Sequence, residues 1–139
     1  MMHTQVSWLL GRSLRSVRRD DEADQWIFDF GEGHILQVYS PWRVTKDGSI
    51  RAGHCDHRQQ FGLPSPIDVE ARVSELVNDL VVVDALIVTG CADCSIDFGG
   101  GTRLEVFNNS SGYESWMLNG PGGRLIVAQG GGNVAWGKL

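Results

Sequence analysis

The chain has no apolar run approaching the roughly 20 residues that a membrane-spanning helix needs, which argues against a membrane span. It has only 4 prolines against 18 glycines, a balance that points to many tight turns rather than to disorder. The first residues, Met1–Ser7, lack the basic, apolar and small-residue layout of a signal peptide, so the expected location is the cytoplasm. Positive charge is also scarce: 12 Lys and Arg face 17 Asp and Glu. The deficit is concentrated beyond Ser65, in a half that would repel a phosphate backbone and so excludes nucleic acid as the main partner. No Gly-x-Ser-x-Gly elbow is present, and no nucleophilic triad suggests itself. Gly99–Gly101 and Gly130–Gly132 neither open a helix nor precede a Lys and Ser/Thr, so they are turns rather than phosphate loops.

What remains is a chain of 139 residues, long enough for one domain with a hydrophobic core. Its most informative feature is a near-repeat. Asp29-Phe30-Gly31-Glu32-Gly33-His34-Ile35-Leu36-Gln37-Val38-Tyr39 returns 68 positions later as Asp97-Phe98-Gly99-Gly100-Gly101-Thr102-Arg103-Leu104-Glu105-Val106-Phe107. Each copy reads as strand, glycine turn, strand. Further strands are expected at Gly11–Val17, Trp42–Val44, Ser49–Arg51, Val81–Val88, Ser115–Leu118 and Arg124–Ala128. Val6–Leu10 reads as either a short helix or a strand. The five tryptophans are expected mostly in the core.

One helix separates the copies. Ser65 suits the cap, Pro66 the first turn, and Asp68 and Glu70 the positive end of the helix dipole. Val69, Val73, Leu76, Val77 and Leu80 then share one face. That face is expected to pack on a sheet, with a homodimer contact as the alternative. The expected fold is α+β: two related antiparallel β-meanders forming a strongly bent sheet, with an amphipathic helix over about 65–80 packed across it. The domain is single, 1–139, with pseudo-repeats over about 9–58 and 76–136.

Phe98-Gly99, Leu104-Glu105-Val106, Tyr113-Glu114-Ser115-Trp116 and Gly130-Gly131-Gly132-Asn133-Val134-Ala135-Trp136 resemble a family of small uncharacterised bacterial domains. These carry a Phe-x-x-Gly strand, a Tyr-Glu-Ala-Trp-like segment and a final Gly-rich turn. The likeness covers roughly Ser65–Trp136. Gln129 and Ser115 depart from the pattern. The resemblance implies a fold and an intracellular bacterial setting but no activity.

Candidate chemistry lies where the copies differ. Cys91-Ala92-Asp93-Cys94 has a spacing that lets two thiolates reach one zinc, and His54-Cys55-Asp56-His57 packs four potential ligands together. His54, His57, Cys91 and Cys94 would complete a zinc site if their loops met; otherwise they are free thiols in a loop and a polar turn. A redox Cys pair is disfavoured, because no helix follows Cys94. The polar insertion Asn108–Trp116 offers Asn108, Asn109, Tyr113, Glu114 and Trp116 as an interface, the alternative being that Tyr113 and Trp116 are core aromatics. Asp29 and Asp97 read as caps of their own turns rather than paired carboxylates. Arg12, Arg15, Arg18 and Arg19 beside Asp20, Asp21, Glu22 and Asp24 read as charge pairing at a turn rather than an anion site.

Together these features favour a non-enzymatic protein-interaction or accessory (immunity-type) module without a cofactor. The alternative is a metal-binding or small-ligand enzyme using His54/His57 and Cys91/Cys94.

Overall fold

The computed structural model describes residues 2–138. Twelve strands run in the order β1 (His3–Gln5), β2 (Ser16–Asp20), β3 (Gln25–Asp29), β4 (Ile35–Val38), β5 (Trp42–Lys46), β6 (Ser49–Gly53), β7 (Asp84–Val88), β8 (Cys94–Asp97), β9 (Thr102–Val106), β10 (Trp116–Asn119), β11 (Arg124–Ala128) and β12 (Val134–Lys138). The helix α1 (Val69–Leu76) lies between β6 and β7. The fold is α+β and meander-like.

The strands form two six-stranded sheets, ordered β1-β7-β8-β9-β5-β6 and β12-β11-β10-β4-β3-β2, rather than one strongly bent sheet. All pairings are antiparallel. The separation into two follows from an exchange of partners. The triple β2-β3-β4 is extended by β10-β11 from the other half of the chain, and β7-β8-β9 by β5-β6. The registers match: Trp42 stands opposite Val106, and Trp116 opposite Val38.

Alternation along these strands turns one side of each sheet inward. Phe28 meets Trp42 across the sheets edge to face at 5.0 Å, and Phe30 stacks on Phe98 at 6.4 Å with ring planes 11° apart. Trp26, Trp42 and Trp116 are buried as the sequence predicts. Trp8 packs only partly against the core, and Trp136 on β12 is more than half exposed. Each buried aromatic contributes roughly 2–3 kcal/mol of apolar transfer, so this layer is the main source of cohesion.

Each near-repeat segment forms its strand, turn and strand. The Asp29 carboxylate accepts from Gly31 N at 2.7 Å and the Asp97 carboxylate from Gly99 N at 2.9 Å, so each caps its own turn. Gly99, Gly100 and Gly101 all take positive φ (74°, 59° and 82°), a run that side chains would strain.

The helix is shorter than the sequence predicts. Ile67 exchanges backbone hydrogen bonds with Arg58 and Gln59, which holds residues 65–67 out of helical conformation. Asp68, not Ser65, is the cap, its carboxylate accepting from Ala71 N at 3.1 Å. At the other end Asp79 takes φ 62° and breaks the run before Leu80. Val69, Val73 and Val77 face the core, with Leu76 and Leu80 packed partly against it. The helix touches β2 and β6, the edge strands of the two sheets, and so bridges their open margin.

Gly11–Val17 gives way to β2 at Ser16–Asp20, because Gly11 and Arg12 pair with Val82 instead of a ladder. Val6–Leu10 contains a single 3-10 turn, Ser7–Leu9. No described helix is long and apolar enough to cross a membrane.

Candidate functional site

The β2–β3 turn places Arg19, Asp21 and Asp24 at the rim of a cleft of about 450 Å3. Trp26, the β4–β5 crossing at Val38–Pro41, and the loop after β6 supply the remaining walls. The turn is held by its own charges. Arg19 donates to Asp21 at 3.3 Å and to Asp24, while Arg58 grips both oxygens of Asp21 at 3.2 and 3.0 Å. The hydrogen bond from Arg58 holds the Asp21 carboxyl below the ordinary carboxylate range. Asp20, bonded by Gln25 and by Ala23 N, is lowered as well. The arginine cluster is therefore charge pairing at a turn where Arg19 is concerned.

Deeper in the cleft, His57 is fixed on three sides. Its Nδ1 accepts from Val69 N at 3.1 Å, its Nε2 lies 3.9 Å from Glu70, and its ring meets Trp26 edge to face at 5.2 Å. That role is structural: it caps a helical N–H and orders the loop. His54 is held differently, with its Nε2 3.1 Å from the Cys55 thiol. Ser40, 8% exposed, also lines the cleft, and its hydroxyl has no hydrogen-bond partner among the described residues.

Tyr39 and Ser40 also line a second, adjoining cleft of about 660 Å3, whose far wall is the 109–115 segment. The two clefts thus meet as one groove over the β4–β5 crossing. Tyr113 projects at its edge with 82% of its surface exposed, and Tyr39 is 42% exposed. A third depression of about 720 Å3 lies around the β5–β6 and β8–β9 turns. Four of its charges are paired, Arg43 with Glu105 at 3.3 Å and Arg103 with Asp97 at 3.6 Å.

Of the residues nominated by sequence, Asn109, Tyr113 and Glu114 line the second cleft. Asn108 instead braces the segment: its backbone N–H donates to Asp93 at 2.8 Å, its amide to Gln129 O at 3.0 Å, and its carbonyl accepts from Ser115. Trp116 is fully buried, with Nε1 donating to Ala92 O at 2.9 Å, so it belongs to the core and not to an interface.

The four nominated zinc ligands are not brought together. His54 and His57 line the first cleft, whereas Cys91 is exposed near the β7–β8 turn and Cys94 is buried at the start of β8. Burial, reinforced by Asp93, pushes the Cys94 thiol up to about 12. Among the described residues no three His, Cys, Asp or Glu side chains are grouped to hold a metal ion.

Sequence reasoning missed Arg19, Asp21, Asp24, Trp26, Ser40 and Arg58 as walls of a site. The available signal was Ser40 itself, standing alone where the second half carries a polar insertion.

The chain belongs to a family of unknown function, DUF6188, whose pattern covers residues 5–137. No curated protein and no solved structure matches it.

Proposed function

We propose that the protein is a non-enzymatic interaction module, an accessory or immunity-type protein of the bacterial cytoplasm, that grips a partner protein along the groove joining the two clefts. The observation that carries this reading is the pair of exposed tyrosines, Tyr39 and Tyr113, on the rims of clefts that share Tyr39 and Ser40. Tyrosine offers a large contact area with only two side-chain torsions to immobilise, which suits a recognition surface. Glu114 beside Tyr113 adds acidic character, favouring a partner with a positive face. The matching registers of the two halves support a single domain built from an internal pseudo-repeat, over which the 108–116 insertion adds binding surface.

The test is calorimetry against the product of the neighbouring gene. Tyr113→Ala and Glu114→Ala should each weaken binding at least about tenfold without lowering the melting temperature. Unchanged affinity in both variants overturns the reading.

A second reading, a metal-binding or small-ligand enzyme, is favoured by His54 and Cys55 in contact within the same cleft as His57. Elemental analysis without stoichiometric zinc, together with melting unchanged by chelator, removes its metal form. Alkylation of Cys55 without effect on ligand binding removes the remainder.

A further inference from the structure

The two halves make the crossing between their third and fourth main strands with the same pair of hydrogen bonds. Tyr39 N donates to Ser115 O at 2.8 Å, and Phe107 N donates to Pro41 O at 2.9 Å. Between these anchors the first half has one residue, Ser40, and the second has residues 108–114. The longer crossing fills its own site. Asn108 is bonded to Asp93, Gln129 and Ser115, and Gly131 N donates to Ser110 O at 2.8 Å. The walls behind it are closed so tightly that a Cβ on Gly132 would run into the Gly90 carbonyl.

In the first half the corresponding walls are present and the filling is not. Ser40 is more than nine-tenths buried, lines both clefts, and its hydroxyl has no partner. Trp42 Nε1 is likewise buried and unpartnered, although the matching Trp116 Nε1 reaches Ala92 O. Ala92 and Asp24 lie 68 residues apart and both have left-handed backbone, with φ 61° and 49°; Asp24 is a wall of the cleft. A buried polar group without a partner on the wall of a cleft is costly unless something else completes it.

We propose that the first cleft binds an uncharged polar segment of a partner polypeptide, seated on Ser40 where the second half seats its own residues 108–114. The proposal rests on the interaction reading above and names the part of the partner that is recognised. Polypeptide is indicated because the matching site is filled by polypeptide, through backbone groups and a carboxamide. Lack of charge follows from the rim, where Arg19 and Arg58 are already paired with Asp21 and Asp24 and leave neither sign in excess. The bound segment completes Ser40 and lies against the Asp24 turn, the counterpart of the Ala92 turn whose carbonyl completes Trp116.

The experiment is a nitrogen-15 NMR titration with a blocked synthetic peptide, Asn-Asn-Ser-Ser-Gly, copying residues 108–112. Saturable shifts at the Ser40 amide and the Trp42 indole are expected through the millimolar range. Ser40→Ala should weaken the peptide about tenfold while leaving the melting temperature unchanged or raised, since the hydroxyl has no partner to lose. Absence of saturation, shifts confined to other surfaces, undiminished binding by Ser40→Ala, or a lowered melting temperature in that variant each overturn the proposal. Tyr113→Ala serves to separate the two readings. Peptide shifts at Ser40 that persist when full-length partner binding proves independent of both Tyr113 and Glu114 sink the proposed function and leave this site standing.

Discussion

Two regions of one molecule, built on the same strand ladder, have been finished in opposite ways. Beside β10 the chain turns back on itself, and its inserted residues close the space against the β7–β8 turn and the loop after β11. Beside β5 the same space is left open as a cleft, on whose wall the buried Ser40 hydroxyl has no partner among the described residues. The difference teaches where to look for function: the closed region shows what the scaffold needs in order to be satisfied, and the open one shows what is still wanting. Alone, a polar group unsatisfied in a unique environment reads as a packing defect. Here its counterpart is satisfied, and the comparison turns the defect into a site.

The comparison can be broken most severely at Gly132, which has φ 98° and no room for a side chain before the Gly90 carbonyl. Gly132→Ala should cost about 3 kcal/mol or more, read from the denaturant midpoint. Cys55→Ala, in the open region's loop, should stay within about 0.5 kcal/mol. Equal costs would mean the second half is no more closed than the first.

The tryptophans give a finer contrast. Trp116→Phe strands the buried Ala92 carbonyl and should destabilise by about 2 kcal/mol, whereas Trp42→Phe removes an N–H that already lacks a partner and should cost less than about 1 kcal/mol. Urea unfolding of both variants decides it, and a reversed order would sink the contrast. Asn108→Ala, which leaves Gln129 O and Ser115 without their partners, is expected to cost about 1–2 kcal/mol by the same assay.

The smallest effect is electrostatic and confined to the open region. Asp21 is held low by Arg58, so its contribution is present above its ordinary value of 3.8 and disappears as pH falls through the depressed one. Arg58→Ala should therefore lower the melting temperature slightly near neutral pH and converge on the unaltered protein as pH falls through the depressed value. A difference that stays constant as pH falls across the acid range would assign Arg58 a packing role instead.

Much of this was legible in the sequence. The two hairpins announce themselves because glycines at positive φ and alternating strands are local signals, and Asp29 and Asp97 sit where a turn cap is needed. The helix was visible from Val69, Val73 and Val77, but its start was not. Ser65 and Pro66 carry a good local signal, and the tertiary pairing of Ile67 with Arg58 and Gln59 overrode it. The exchange of strands was hidden for a deeper reason: which strand lies beside β4 depends on β10, some 80 residues away, and nothing local to either strand records it. Of the site, the insertion was found and the cleft was not. A cleft is made by absence, and Ser40 looks like any other loop serine until its surroundings are assembled. Cys94 misled in the opposite direction, since a two-residue gap to Cys91 suggests shared chemistry while the strand turns one thiol into the core and leaves the other in solvent.

The exchange of strands also governs the order in which the protein can be made. On the ribosome β2-β3-β4 emerges early, but the strand that completes its margin, β10, is synthesised only after α1 and β7–β9. The first half must wait with β4 uncovered, and folding closes across long stretches of chain, a topology that slows it. A chain interrupted between β9 and β10 holds every strand of one sheet but only β2-β3-β4 of the other, so truncation should yield material that chaperones and proteases recognise, not a working fragment.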